Sequence, residues 1–339
     1  MAIDALRPDR LSAFTGQDRV IKELKIILKS ADRRGELCDH VLLSGPPGLG
    51  KTTLASIIAT ELKLPLFVTA GPALEKPSSL INILTSLNGP SVVFIDEVHR
   101  LPRIVEETLY PAMEDGCIDL IVGEGVQSRS IRLPLKDFVL VAATTQSGLL
   151  SAPLRDRFGF SSKLSLYNDE DLEKIVTRSA NILGINLVGD AAKEIATRSR
   201  GTPRIANTWL RRVRDWAVSS SIETIDFDCA SEALEAFHID TLGLDHSARE
   251  YLRALIVQFQ GGPVGLGSLA AAVGEPSNTL EEVYEPYLLR SGLLARTSRG
   301  RVATELAYKH LNITPNSVQT TSLTLQTLNF TDPEEFPDN

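Results

Sequence analysis

Gly45-Pro-Pro-Gly48-Leu-Gly50-Lys51-Thr52 fits the phosphate-binding loop pattern GxxxxGK[ST] at every specified position. Burying the clustered negative charge of a polyphosphate requires many donors and little steric bulk. Glycines let the backbone curl so that successive N–H groups point at one oxygen cluster. Lys51 adds a positive charge for the β- and γ-phosphates, and the Thr52 hydroxyl can ligate Mg²⁺. His40-Val-Leu-Leu-Ser44 reads as a buried strand before the loop, and Thr53 to Leu62 as a helix after it. That helix aims its positive end at the phosphates. An ordinary glycine-rich turn would require neither this strand–loop–helix context nor the lysine–threonine pair.

The remaining composition is that of a water-soluble multidomain chain. Its 339 residues suffice for two or three domains, with 43% hydrophobic and 23% charged residues. No apolar run approaches the length of a membrane span, and the N-terminus has no signal-peptide core, so a cytoplasmic location is expected. Cys38, Cys117 and Cys229 lack CxxC spacing and read as buried or free thiols in a reducing compartment. The net charge of −8 argues against nucleic-acid binding through bulk charge but leaves room for a local basic surface.

From residue 40 to 166, strands and helices alternate as in a parallel α/β sheet. Strands are expected at Val41–Ser44, Leu66–Thr69, Val92–Asp96, Val139–Thr144 and Lys163–Leu166, preceded by an N-terminal arm and a helix from Asp18 to Lys29. From Asp169 to Phe237 the apolar spacing turns helical, and a further helix is expected from Asp245 to Phe259. The polar, acidic end after Asn316 reads as a disordered tail. There are no internal repeats.

Ser91-Val-Val-Phe-Ile-Asp96-Glu97 is an apolar strand ending in two acids, at the edge where an open α/β sheet places its ligand. Asp96 is positioned to hold the Mg²⁺ shell and Glu97 to polarise an attacking water. Thr144 and Thr145 end another strand, and Thr145 is the better candidate for a γ-phosphate or water contact. Arg155 and Arg157 lie on a short helix, where an arginine could stabilise transferring phosphate; an ion pair with Asp156 or a solvated face is the alternative. Arg204 opens a helix after Gly201-Thr-Pro203 and could reach back toward a nucleotide or simply belong to a basic flank.

Two segments lie outside this constellation. Residues 117–133 read as an inserted hairpin whose Leu120, Ile121 and Val122 run apolar near its tip, either as a docking surface or folded onto its own core. Near the C-terminus, Leu266–Val273 and Thr279–Leu289 form a helix-turn-helix pattern, with Thr279 and Glu282 as a capping box. A wing bearing Arg296, Arg299 and Arg301 follows, and between Arg290 and Lys309 only Glu305 opposes the basic residues. The patch suits phosphate contact, although a winged helix can also serve protein contact.

The order of these pieces resembles the AAA+ ATPases, and the wording resembles the RuvB family of Holliday-junction branch-migration motors. The matching phrases include Phe94-Ile-Asp-Glu-Val-His-Arg100, Tyr110-Pro-Ala-Met-Glu-Asp115, Arg155-Asp-Arg-Phe-Gly159, Arg200-Gly-Thr-Pro-Arg-Ile-Ala-Asn207 and Gly261-Gly-Pro-Val-Gly-Leu266, spread over about Ala5 to Leu311. The resemblance implies an αβα P-loop ATPase domain at 1–167, a helical lid at 168–240, a winged helix at 241–313 and a tail at 314–339. It implies ATP and Mg²⁺ as cofactors, with Lys51, Thr52, Asp96 and Glu97 as the Walker residues, Thr145 as sensor 1, Arg204 as sensor 2 and Arg157 as a finger acting on a neighbouring subunit. Leu6, Arg7, Gly48, Gly50, Thr53, Glu114, Asp115, Gly116 and Tyr167 join the nucleotide contacts. Gln146 departs from the arginine expected after the threonines.

The same resemblance implies a hexameric ring on duplex and four-way junction DNA, with roles in recombination, repair and the SOS response. The partners would be RuvA, docked on the hairpin, and the resolvase RuvC. Without the resemblance, a clamp-loader-like ATPase or a nucleotide-gated binding module would share the sheet and loop.

Overall fold

The computed structural model describes residues 3–122 and 129–314, with side chains placed for 5–119 and 131–314. The expected tail beyond 314 lies outside the described residues, as do the side chains of Leu120, Ile121 and Val122. The chain divides into two compact units, Met1–Ala233 and Leu234–Asn339.

In the first unit, α1 (Asp18–Arg34) precedes β1 (Val41–Ser44), α2 (Lys51–Leu62), β2 (Leu66–Ala70), α3 (Pro77–Thr85), β3 (Ser91–Asp96) and α4 (Arg103–Glu114). The ribbon β4 (Cys117–Val122) and β5 (Arg129–Pro134) follows, then β6 (Phe138–Thr144), α5 (Ala152–Arg155) and β7 (Phe160–Lys163). The five-stranded sheet has the order β2-β3-β6-β1-β7 and is parallel throughout. Its three central strands are buried almost end to end, which explains their unbroken Val/Ile/Leu/Ala runs. Leu42, Val93, Ile95, Leu140 and Ala142 project into a core shared with α3 and α4.

The last strand corrects the sequence expectation of Lys163–Leu166. It pairs Phe160 to Lys163 against Val41 to Ser44, so it ends where β1 ends. There the chain turns into the loop at Gly45, whose φ of +136° and 2.6 Å approach of an added Cβ to the Leu164 carbonyl require glycine. As an edge strand half open to solvent, Phe160-Ser-Ser-Lys163 carries little apolar signal.

Four helices complete the lid pattern: α6 (Asp169–Leu183), α7 (Ala191–Thr197), α8 (Pro203–Ser219) and α9 (Phe227–Ala236). Asn168 caps α6 by accepting from Asp171 N–H, and Gly184 ends it in the left-handed conformation.

The second unit contains α10 (His246–Arg253), which continues into a π-helical turn at Ala254–Gln258, then α11 (Leu266–Val273) and α12 (Ser277–Thr279). A π-helical turn at Leu280–Tyr284, α13 (Glu285–Arg290), the wing strands β8 (Leu294–Thr297) and β9 (Gly300–Ala303), and α14 (Glu305–His310) complete it. Tyr251, Leu255, Leu269, Leu280 and Leu288 form its core. The expected capping box is not made. The helix starts earlier, behind Pro276 at Ser277, so Thr279 is already helical (φ −63°) and caps nothing. The wide π turn lies just ahead of Pro286, which has no N–H to continue a regular ladder.

Candidate functional site

The loop after β1 wraps onto the first turn of α2, and Gly48 in it has φ +81°. A Cβ there would lie 2.6 Å from the Thr202 methyl and 3.0 Å from Arg204 Cβ, so the lid closes directly on the loop backbone. Arg204 N–H donates to the Gly48 carbonyl at 3.3 Å. A cleft of about 560 Å³ results, lined by Leu6, Arg7, Gly48, Gly50, Lys51, Thr52, Thr53, Asp96, Glu97, Tyr167 and Arg204. Most of the residues expected at a nucleotide thus meet in one place, drawn from the N-terminal arm, the loop, the end of β3 and the lid.

Lys51 is 7% exposed, and its ammonium donates to the carbonyls of Gly45 (2.7 Å) and Pro46 (2.9 Å). Burial lowers its pKa below the ordinary lysine value, Glu97 and Asp96 oppose that, and Arg204 adds to the lowering. The Tyr167 hydroxyl donates to the Leu49 carbonyl at 3.3 Å, and burial raises its pKa. Glu97 sits in the left-handed region (φ 49°), which turns its carboxylate toward β6, where Thr145 donates through Oγ1 at 3.0 Å and N–H at 3.3 Å. Thr145, expected at a γ-phosphate or water, thus contacts the second acid in this structure.

Several contributors carried no sequence signal of their own. Arg178 in α6 donates to the carbonyls of Ala13 (2.9 Å) and Leu6 (3.1 Å), tying the N-terminal arm to the lid beside the cleft. Phe14 packs at Gly50, and Asn207, Thr208 and Arg211 on α8 extend the lining. Helical spacing from Arg204 to Arg211 places the last group on one face of α8 and could have suggested it.

Arg157, expected to act on a neighbouring subunit, does not line this cleft, and neither do Glu114, Asp115 and Gly116, which the sequence reading put among the nucleotide contacts. Arg157 Nη2 donates to Glu114 Oε2 at 3.0 Å, Nη1 donates to the Pro153 carbonyl, and the guanidinium stacks 4.5 Å above the Tyr110 ring. The ion-pair partner is thus Glu114 at the end of α4. Asp115 pairs with Arg132 at 2.9 Å.

In the second unit the wing arginines are not opposed by Glu305 alone. Arg301 Nε donates to Glu285 Oε1 at 2.9 Å and Arg296 Nε to Glu285 Oε2 at 2.8 Å, while Arg296 also reaches Glu281 at 3.0 Å. Tyr251 donates to the same Glu285 carboxylate at 3.0 Å. Glu305 instead pairs with Lys309 at 2.7 Å, and Arg299 at the ribbon turn is exposed. The sequence count missed Glu281 and Glu285 because both precede the segment.

A parallel sheet with this strand order, a complete phosphate loop, paired acids on the neighbouring strand and an arginine-bearing helical lid define a nucleotide-binding P-loop ATPase of the AAA+ class. Three family descriptions match in succession: the Holliday junction DNA helicase RuvB P-loop domain over residues 6–164, the RuvB AAA lid domain over 167–240, and the RuvB C-terminal winged helix domain over 241–312. The chain belongs to the RuvB family. It is 54% identical over 306 residues to the Holliday junction branch migration complex subunit RuvB of Rubrobacter xylanophilus, covering 90% of this chain and 86% of that one. It is also similar to the Thermotoga maritima RuvB Holliday junction branch migration motor (TM-score 0.82, 48% identity, 91% of this chain and 99% of that chain). A mutant form of that Thermotoga maritima protein gives TM-score 0.83 at 49% identity, over 91% of this chain and 98% of that chain.

Proposed function

We propose that this chain is an ATP-driven motor that migrates Holliday junctions by translocating duplex DNA as a ring. The observation that carries this reading is the division of its arginines. Arg204 lines the cleft with the loop and the acids, whereas Arg157 stands outside it with Glu114. A finger that cannot serve its own cleft suits a neighbour's, so hydrolysis requires assembly, most simply into a hexamer. Glu114, Asp115 and Gly116 share that outward surface and would meet the neighbour's nucleotide with it.

In the cleft, Lys51 and the loop N–H groups bind the phosphates and Arg204 senses the γ-phosphate. Glu97 takes the proton of the water whose oxygen bonds to the γ-phosphorus as the bond to the β-phosphate oxygen breaks, giving ADP and phosphate. Thr52 and Asp96 both line the cleft, and such a pair of oxygen donors fits Mg²⁺, which keeps waters and phosphate oxygens for the rest of its shell. When bound there, the ion neutralises phosphate charge. Loss of the γ-phosphate contact at Arg204 would release the lid from the loop and, through the chain that follows, move the winged-helix unit.

Arg296, Arg299 and Arg301 on the wing serve a sequence-independent phosphate grip, with Glu285 fixing the first and last in place. The β4–β5 ribbon stands apart from the main sheet, and Ile131, register partner of Leu120, is 50% exposed. Leu120, Ile121 and Val122 would dock the junction-binding partner RuvA there, and the resolvase RuvC would act on the same assembly. Among the described residues no helix is long and apolar enough to cross a membrane; action on DNA would place the chain in the cytoplasm.

The test is ATP turnover and junction migration with and without four-way junction DNA and RuvA. Stimulated turnover with strand displacement supports the motor. Turnover indifferent to both, with no migration, removes it.

A further inference from the structure

His99 follows the second acid by two residues, in the 3₁₀ turn Val98–Arg100, and its side chain is 8% exposed. Its Nδ1 lies 3.2 Å from Glu97 Oε2 and 3.0 Å from Thr144 Oγ1. Thr144 itself is fully buried, and its hydroxyl oxygen accepts from Gln146 N–H at 3.0 Å. With hydrogen on Nδ1, the imidazole donates to Thr144 Oγ1 and presents the same positive N–H edge to the neighbouring Glu97 Oε2.

Counting donors at the Glu97 carboxylate then separates its two oxygens. Oε2 receives Thr145 N–H and the Thr145 hydroxyl from the β6 side, and His99 Nδ1 closes on it at 3.2 Å. Oε1 has no such partner among the described residues. The left-handed backbone at Glu97 (φ 49°, ψ 48°) aims the side chain into this bracket, at a conformational cost that the two Thr145 hydrogen bonds and the His99 contact offset.

We propose that His99 is a positioning residue for ATP hydrolysis. Its Nδ1–H and Thr145 immobilise one carboxylate oxygen of Glu97, so that the other alone faces the attacking water. This rests on Glu97 being the water-activating carboxylate. A rotatable carboxylate would present either oxygen and spend much of its time off the line of attack, and misplacement by about 1 Å costs on the order of 100-fold in rate.

The experiment compares His99→Asn, His99→Gln and His99→Leu in the full chain, with nucleotide affinity measured alongside kcat. An asparagine amide nitrogen can occupy the place of Nδ1, whereas the glutamine amide reaches one atom farther. The expected order is near wild-type kcat for His99→Asn and a loss of about 10- to 100-fold for His99→Gln and His99→Leu, with Kd for ATP unchanged within about twofold. Circular dichroism of each variant keeps folding separate, and a His99→Leu chain that fails to fold leaves the Asn–Gln comparison to decide. Equal loss in Asn and Gln, rescue by Gln alone, or a loss carried by Kd overturns the proposal. A Glu97→Gln chain is assayed in parallel: if it keeps wild-type turnover, the reading of Glu97 fails, whatever the His99 series shows.

Discussion

Arg301 Nε donates to Glu285 Oε1 at 2.9 Å, and Glu285 is fully buried with its side chain 0% exposed. The pairing has a local cause. Arg301 lies directly opposite Arg296 in the β8–β9 register, and like charges across a two-stranded ribbon repel. One carboxylate from α13, held also by Tyr251, bridges both, Glu281 supplies the second negative charge, and together they fasten the wing to the helix ahead of it.

Removing Arg301 therefore has a different consequence from removing an exposed wing arginine. With 15% of its side chain exposed and its guanidinium on Glu285, Arg301 braces the wing in addition to any phosphate contact it makes. Arg301→Ala leaves Glu285 short of a partner in the core and is expected to cost the winged-helix unit about 3–5 kcal/mol. Arg299→Ala, at the exposed turn, leaves stability unchanged and lowers the salt slope of DNA binding by about one unit on two unrelated duplexes. Urea denaturation and binding over a salt series distinguish the two. A stable Arg301→Ala unit would show that Arg296 alone satisfies Glu285.

The same carboxylate sets an acid limit. Burial raises the Glu285 pKa, but hydrogen bonds from Arg301, Arg296 and Tyr251 more than offset this and leave it below the ordinary value of 4.5. A depressed folded pKa means stability that is fully present above 4.5 and lost as pH falls through the folded value. Unfolding free energy of wild type minus that of Glu285→Gln, followed downward in pH from neutral, should stay flat to 4.5 and then shrink. A difference that is constant through the acid range would remove Glu285 as the source.

The finger assignment predicts complementation. Arg157→Ala alone should be inactive, as should Lys51→Ala, because one lacks the group given to the neighbour and the other lacks its own phosphate lysine. Mixed under conditions where subunit exchange is verified, they should regain some hydrolysis at interfaces that join an intact cleft to an intact finger. Mixtures that stay dead would argue for a finger acting within its own chain.

Arg178→Ala should detach the N-terminal arm, since the carbonyls of Leu6 and Ala13 lose their donors. Leu6 and Arg7 line the cleft, so ATP affinity should fall by about tenfold, the equivalent of about one hydrogen bond to a charged donor. Turnover at saturating ATP should be near wild type. Isothermal titration with a non-hydrolysable analogue, alongside kcat, measures both, and a change in kcat alone would place Arg178 in the chemistry instead.

What the sequence determined by itself was whatever is written within a few consecutive residues. The loop from Gly45 to Thr52, the strand ending at Asp96-Glu97 and the helix opening at Arg204 each carry their chemistry locally, so their types and places were legible before any fold was known. The apolar runs of β1, β3 and β6 were legible because both faces of a central parallel strand are buried. Edge strand β7 was misplaced because solvent on one side removes that signal, and its end is set by where β1 turns away. Only the tertiary structure decided which charges meet. Glu285 lies 16 residues before Arg301, Glu114 lies 43 before Arg157, and Glu97 lies 48 before Thr145. No spacing rule links such positions; packing the strands and helices brings them within hydrogen-bonding distance, and burial then makes each pairing count.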